Sequence, residues 1–303
     1  EIICFSQEML RVISIAKQIA PSIANVLISG QSGVGKEIIA KLIHKHGKNP
    51  SNELVSINCA AIPESLLESE MFGHEKGAFT GAVERRIGKF EQANNSTLFL
   101  DEISEMDLKL QAKLLRAVQE REIFRVGGNE PVKLNIRIIA TTNRNLISEV
   151  KKGNFREDLF YRLNVIHLEV PSLADRIEDI KPLTEYFLKK YCKINNLEAK
   201  VLDESALQKL TLHSWPGNVR ELENTIHRAV LTSIGSKIED KYISIINVSD
   251  EDSIESLEVT EKKAINKALS RYDKNYDLIA KVLGISINTL QNKLKQNYKI
   301  NDK

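Results

Sequence analysis

The chain is poor in cysteine, tryptophan and long apolar runs. Its three cysteines, Cys4, Cys59 and Cys192, stand far apart and odd in number among 303 residues. That pattern fits neither a disulfide framework nor a zinc site, and reads as reduced, packed thiols. The longest unbroken apolar runs, Ile2–Phe5 and Cys59–Ile62, are four residues each, where a membrane-crossing helix needs roughly 18 or more. No basic stretch followed by an apolar one opens the chain, so no secretory signal is visible. His44 and His46 lie two apart on a helical pattern, where side chains diverge, and read as surface histidines rather than metal ligands. Aromatic residues make up only 6%, yet 42% hydrophobic and 28% charged residues are ordinary for a globular chain and exclude a disordered, collagen-like or fibrous one. The length suggests two or three domains.

The net charge of +2 hides an uneven distribution. Glu261–Lys303 carries ten Lys/Arg against four Asp/Glu, a net of +6, which leaves −4 for the rest. Just before this basic tail, Asp250–Glu258 holds five acids and no base, the composition of a solvated linker. A small basic module behind such a linker suggests a polyanion partner.

Between Asn25 and about Val170, short β-rich runs alternate with helical stretches. The strand candidates are Val26–Ser29, Leu54–Ile57, Thr97–Leu100, Ile136–Ala140 and Val165–Leu168. Most are near-continuous apolar runs, which favours strands buried on both faces in a parallel sheet. Ile38, Ile39, Leu42 and Ile43 recur at helical spacing, as do Leu110, Leu114, Leu115 and Val118 after Asp107. The expectation is a doubly wound α/β domain. After Pro171 the stretches Ile177–Lys193, Glu204–His213 and Asn218–Ser233 read as helices without a convincing strand, with Asp203 as an N-cap. Glu261–Gln296 gives three short helices, with Gly284 at the second turn.

Gly30-Gln31-Ser32-Gly33-Val34-Gly35-Lys36-Glu37 follows a strand and precedes a helix. Glycines there let backbone N–H groups turn inward around phosphate oxygens, and the helix N-terminus adds its positive end. Lys36 would bridge the β- and γ-phosphates. The residue after it is Glu37 in place of Ser or Thr, so the usual hydroxyl ligand to Mg²⁺ is absent. Taken alone, the stretch is also compatible with a Gly-rich turn. Leu98–Leu100 then leads an apolar strand into Asp101 and Glu102. Strand C-termini of a parallel sheet sit beside a phosphate loop, where one carboxylate can hold Mg²⁺ through water and the other polarise an attacking water. Thr142 and Asn143 end a later strand, placed either to report on a γ-phosphate or to cap a turn. Arg156 and Arg162 lie six residues apart, about 120° round a regular helix, and serve equally as surface salt-bridge partners. In the tail, Leu278, Ile279, Val282 and Leu283 give an apolar helical face, Gly284 a turn and Ser286 a cap. Asn288, Gln291 and Asn292 can reach base edges, and Lys293 and Lys295 phosphates. A three-helix dimerisation module is the other reading of that tail.

Gly77-Ala78-Phe79-Thr80-Gly81-Ala82, preceded by Phe72-Gly73-His74-Glu75-Lys76, is demanded by nothing in general phosphate-loop chemistry. It matches in full the GAFTGA loop of bacterial sigma-54-dependent transcriptional activators, whose AAA+ core this chain resembles throughout. In that family the loop lysine is followed by glutamate, as Glu37 is here. The resemblance implies that Asn58, in Asn58-Cys59-Ala60, is the switching partner of Glu102. It implies that Thr142 and Asn143 are a sensor, and that Arg156 and Arg162 reach a neighbouring subunit's γ-phosphate. Trp215-Pro216-Gly217-Asn218-Val219-Arg220-Glu221-Leu222 matches the helical-domain signature, so Arg220 resembles the second sensor. The C-terminus resembles a Fis-type helix-turn-helix.

The implied fold is an AAA+ P-loop doubly wound parallel sheet over 1–170, an α-helical lid over 171–248, an acidic linker over 249–260 and a small all-α DNA-binding module over 261–303. The implied function is an ATPase, using ATP and Mg²⁺ held at Asp101 through water. It would form a hexameric or heptameric ring in the bacterial cytoplasm, bind upstream enhancer DNA, and remodel sigma-54 RNA polymerase holoenzyme through residues 77–82. The sequence enters the core almost at once, so control is expected from a receiver or ligand-sensing domain outside this stretch, as in two-component systems, or from a partner in trans. A replication-initiator-like ATPase also joins such a core to a DNA-binding helix pair, but lacks the loop at 77–82. A non-catalytic DNA-binding regulator would not need Lys36, Asp101, Glu102, Arg156 and Arg162 together. The chain departs from the family at Gln31 and Val34, where Glu and Thr are usual, at Asn95 and Ser96, where two glycines are usual, and in a recognition helix, Ile287–Gln296, without arginine.

Overall fold

The computed structural model describes residues 2–245, 265, 276–290 and 293. The chain divides into two compact units, Glu1–Ile245 and Ile246–Lys303.

The first unit is built on five strands: β1 (Val26–Ser29), β2 (Leu54–Asn58), β3 (Thr97–Asp101), β4 (Arg137–Thr142) and β5 (Ile166–Glu169). They pair parallel throughout, in the order β2-β3-β4-β1-β5. The central β4 is buried at every position, which explains why its apolar run Ile138–Ala140 does not alternate. On one face lie α1 (Gln7–Ile19) and α2 (Lys36–Lys45), with Met9, Ala16, Ile39 and Ile43 packed on Ile28 and Ile139. The other face is covered by α3 (Glu64–Phe72), the short α4 (Lys89–Gln92), α5 (Leu108–Glu120), the short α6 (Leu146–Lys151) and α7 (Glu157–Leu163), through residues such as Met71, Phe90, Leu114 and Leu159. Asp107 starts α5 as expected of an N-cap: its Oδ1 accepts from Lys109 N and Leu110 N at 2.8 and 3.0 Å.

Two hairpins leave this frame. Gly73–His74 pairs with Arg86–Ile87 and carries residues 77–82 between its strands; Glu122–Phe124 pairs with Pro131–Lys133. Each strand is two or three residues long, too short for alternation to announce it. His44 is corrected from surface to interior. It is 9% exposed, with Nδ1 3.0 Å from Thr97 Oγ1 and Nε2 2.8 Å from Asn52 O. Both ring nitrogens are therefore partnered, which makes its burial tolerable.

Beyond residue 173, α8 (Ile180–Ile194), α9 (Glu204–Leu212) and α10 (Asn218–Thr232) pack around Trp215. The indole is 1% exposed and its Nε1 donates to Leu210 O at 2.8 Å. The structure adds a parallel pair, Val201–Leu202 with Lys237–Ile238. Asp203 occupies the N-cap position of α9 with an extended backbone, its carbonyl accepting from Leu207 N at 3.0 Å, but its carboxylate makes no capping bond and pairs with Lys237 at 2.7 Å.

In the second unit, α11 (Tyr276–Leu283) is followed by Gly284 at φ 67° and a helical turn at 287–290. Ser286 Oγ accepts from Thr289 N at 3.1 Å and caps that turn. The buried set is Ile265, Ile279, Ala280 and Leu290, with Leu283 and Ile285 against it. Leu278 and Val282 are 42% and 54% exposed. The apolar face is thus narrower than the spacing suggested, because Ile279 and Leu283 share a helix face that Leu278 and Val282 do not. Gln291, Asn292 and Lys295 and, apart from Ile265, the helix expected before α11 lie outside the described residues.

Candidate nucleotide site

β1, β3 and β4 end at the same edge of the sheet, the edge where a doubly wound sheet binds ligands. From β1 the chain enters the turn Gly30–Gly35 and then α2, whose first residue is Lys36. Gly30, Gly33 and Gly35 have φ of 151°, 78° and 105°, a region that side-chain-bearing residues rarely enter. At Gly33 a Cβ would also meet Gly217 O at 2.4 Å. The glycines therefore answer both a backbone need and a close approach.

Lys36 is 6% exposed. Its Nζ donates to Gly30 O at 2.8 Å and Gln31 O at 3.3 Å, and lies 3.3 Å from Glu102 Oε1. Glu102 adopts a left-handed backbone, φ 53°, which turns its side chain back toward the loop. Its Oε2 accepts from Asn143 N at 3.0 Å. Asp101 accepts from Asn58 Nδ2 at 2.8 Å and from Thr141 Oγ1 at 2.5 Å. The structure thus brings together Lys36, Asn58, Asp101, Glu102 and Asn143.

Several sites differ from expectation. The resemblance makes Asn58 the switching partner of Glu102; in this structure its Nδ2 donates to Asp101, because β2 and β3 register Asn58 against Asp101. Its Oδ1 takes Ala60 N and Ala61 N at 2.9 and 3.0 Å, tying the end of β2 to the lead into α3. The Thr142 hydroxyl faces Ser104 Oγ at 3.1 Å, so of the sensor pair it is the Asn143 backbone that meets Glu102. Glu37 pairs with Lys41 at 2.6 Å on the exposed side of α2, leaving its N–H and not its carboxylate toward the loop. Thr141 was missed. It is fully buried, donates to Asp101 and accepts from Glu102 N at 3.1 Å. Its position one residue before the expected sensor was the available signal.

Arg220 Nη1 donates to Ser32 Oγ at 2.9 Å, which puts it at the phosphate loop. Val34 is buried and Gln31 Oε1 accepts from Asn218 at 3.1 Å. Asn95 takes φ 60°; asparagine tolerates this left-handed region better than most residues, so it can stand where the family has glycine. Arg156 is exposed at the start of α7 and holds Asp158 through Nε and Nη2 at 3.0 and 2.7 Å. That bond raises the guanidinium pKa and lowers the carboxyl of Asp158. Arg162 is exposed, and its carbonyl accepts from Asn25 Nδ2 at 3.0 Å. Asn25 precedes β1, so Arg162 lies at the sheet edge opposite the phosphate loop, a strand length of about 13 Å away. The structure does not bring either arginine to its own loop.

Residues 77–82 close on themselves, Gly77 N to Ala82 O at 2.8 Å and Ala82 N to Phe79 O at 3.0 Å. Phe79 is 41% exposed and meets His74 edge-on at 5.0 Å between ring centroids. Thr80 is exposed and Ala82 buried. Burial, reinforced by the Asp101 and Glu102 charges, pushes the Cys59 thiol up to about 12.

Fold and site together define an AAA+ ATPase with a helical lid. Residues 2–169 match the sigma-54 interaction domain, residues 174–253 the AAA+ ATPase lid domain, and residues 256–296 the Fis family of bacterial regulatory proteins. The chain belongs to the sigma-54-dependent transcriptional activators: an ATP-binding AAA+ ATPase that drives transcription activation, with sigma-54 and DNA as partners. It is 51% identical to the transcriptional regulatory protein FlbD of Caulobacter vibrioides over 310 residues, covering 95% of this chain and 68% of that protein. It is 48% identical to the regulatory protein AtoC of Escherichia coli over 305 residues, covering 96% and 66%. The chain thus spans about two thirds of the length of these relatives. A crystal structure of NtrX from Brucella abortus in complex with ATP superposes with a TM-score of 0.76 at 31% identity, over 98% of this chain and 69% of that one. No helix among the described residues is long and apolar enough to cross a membrane.

Proposed function

We propose that this chain works in the bacterial cytoplasm as a ring-forming activator that binds upstream DNA and spends ATP hydrolysis on opening promoters held by sigma-54 RNA polymerase holoenzyme. The observation that carries the reading is the loop at 77–82. It is presented on a hairpin with Phe79 and Thr80 exposed, while Lys36, Asp101 and Glu102 converge elsewhere. A contact element and a hydrolytic element are separate, as remodelling requires. The division we propose is 1–170, 171–248, 249–260 and 261–303; the order of the three family matches supports it, although the lid match extends to 253 and the Fis match begins at 256, both inside the acidic stretch.

In the reaction, Gly30–Glu37 cradle the phosphates and Lys36 leaves Glu102 to neutralise them. Glu102, freed, polarises the attacking water. Thr142 and Asn143 respond to the γ-phosphate through the N–H that Asn143 gives Glu102, and Arg220 acts from the lid. Each Asp101 oxygen accepts one hydrogen bond and keeps a lone pair for a water of a hydrated Mg²⁺, so the residues present fit that ion. Mg²⁺ would neutralise phosphate charge there. Arg162, whose backbone lies by Asn25 at the far end of β1 from the loop, serves a neighbour's site, and so does Arg156; a hexamer or heptamer satisfies this. Asn58 transmits the state of the site through Asp101 and the lead into α3. Ser286, Asn288, Gln291, Asn292, Lys293 and Lys295 contact DNA. Transcription in vitro from a sigma-54 promoter, with and without ATP, tests the whole: open complexes should form only with ATP, and ATP-independent activation would overturn it.

A further inference from the structure

Two buried polar side chains grip the outer side of the phosphate loop. Asn218 is fully buried, with φ 53°. Its Nδ2 donates to Ser32 O at 3.0 Å and to Gln31 Oε1 at 3.1 Å, and its Oδ1 accepts from Leu173 N at 2.8 Å. Arg176 is 2% exposed; its Nη2 donates to Val34 O at 2.7 Å, and Nη1 lies 3.8 Å from Asp179 Oδ2. Asp179, itself fully buried, is held in turn by Phe5 N, Ser6 N and Ser6 Oγ.

The consequence follows from peptide geometry. In a trans peptide the C=O and the following N–H point in opposite directions, and the described residues contain no cis peptide. Holding Ser32 O and Val34 O outward therefore turns the N–H groups of Gly33 and Gly35 inward. Neither N–H meets a protein acceptor among the described residues. Inward-pointing N–H groups of this kind are what bind phosphate oxygens. Glycine at both positions lets the peptides take this orientation, with φ of 78° and 105°.

We propose that Asn218 and Arg176 are positioning residues of the phosphate cradle: each fixes one peptide plane so that Gly33 N–H and Gly35 N–H are aimed before nucleotide arrives. This rests on the reading of Gly30–Glu37 as the nucleotide site. Preorganised donors bind without the cost of ordering them. The loss on removing either grip falls on the phosphates and not on the base.

The test measures ADP and adenosine affinities of the full chain by calorimetry, with melting temperature alongside. Asn218→Asp keeps the size and the acceptor for Leu173 N but removes both donors. Arg176→Lys keeps the charge beside Asp179 but shortens the reach to Val34 O. Each should weaken ADP at least tenfold and leave adenosine unchanged, so that the ratio of the two affinities falls. Lys36→Ala serves as the reference and should lower the same ratio. If Lys36→Ala lowers it and neither positioning variant does, or if those variants weaken both ligands alike as they lose thermal stability, the proposal is overturned. If Lys36→Ala leaves ADP affinity intact, the site reading itself fails and takes the proposal with it.

Discussion

At the scale of single residues, the site separates holding from reacting. Lys36 supplies a buried cation to the loop, while the Glu102 carboxylate meets Lys36 Nζ and Asn143 N. Lys36→Ala should therefore abolish tight ATP binding, whereas Glu102→Gln should keep binding and lose turnover by ~10²-fold or more, the usual contribution of a positioned base. Equal affinity losses in the two variants, measured by calorimetry, would contradict this division. Cys59 gives a second check. With its thiol pushed up to about 12 by burial and then by Asp101 and Glu102, it stays protonated at pH 9, where an ordinary thiol is largely thiolate. Mass spectrometry after iodoacetamide at pH 9 should find Cys59 unmodified in the folded chain and modified in urea. The residue types of the site were legible because its motifs are local strings. What could not be read was which carboxylate Asn58 meets. That depends on strand register between β2 and β3, a long-range property, and Thr141 escaped for the same reason.

At the scale of elements, the sheet was legible because strands buried on both faces write themselves as apolar runs. Every strand expected is present to within one or two residues at its ends. The two hairpins were not legible, since paired segments of two or three residues leave no periodicity. They matter because one carries the loop at 77–82. Gly127, near the second hairpin, abuts Ala78: a Cβ on it would come within 2.7 Å of Ala78 Cβ. The loop is therefore braced at its base, while at its tip Thr80 is exposed and Phe79 lies half-exposed against the His74 ring. Thr80→Ala and Phe79→Ala remove tip atoms only, no phosphate ligand and no arginine. Both should keep substantial ATPase activity, yet fail to bind sigma-54 in the presence of a transition-state analogue of ATP hydrolysis and fail to open promoters. Were the loop only packing, both variants would lose melting temperature and ATPase activity together, and whatever stayed folded would still activate. The N-cap of α5 offers a purely structural contrast. Asp107→Ala frees Lys109 N and Leu110 N and should cost about 1 kcal/mol of stability, read from denaturant unfolding, with the ATP affinity unchanged.

At the scale of the whole molecule, neither Arg156 nor Arg162 meets the phosphate loop of its own chain in the structure. The phosphate loop stands at the C-terminal edge of the sheet, and Arg162 at the opposite edge beside Asn25. An arginine at the end of α7 cannot reach phosphates bound a strand length away in its own chain, but a neighbour's arginine can complete the site if copies pack head to tail, the arrangement that closes into a ring. Arg162→Ala should then bind ATP nearly normally and turn over slowly, by ~10³-fold or more if it acts as trans arginines do in other NTPases. Specific activity of the unaltered chain should rise with protein concentration. The sharper experiment mixes two inactive variants. Lys36→Ala lacks nucleotide but retains Arg162; Arg162→Ala binds nucleotide but lacks the arginine. In a mixed ring, some interfaces join an intact loop from one copy to an intact Arg162 from the next, and these should hydrolyse ATP although neither variant does alone. The recovered activity should depend on the mixing ratio and pass through a maximum at intermediate ratios, because both parents contribute one half of each working site. A mixture no more active than its parents at any ratio, at concentrations where light scattering shows assembly, would place Arg162 outside the reaction and make it the surface ion-pair residue that helix periodicity alone allows.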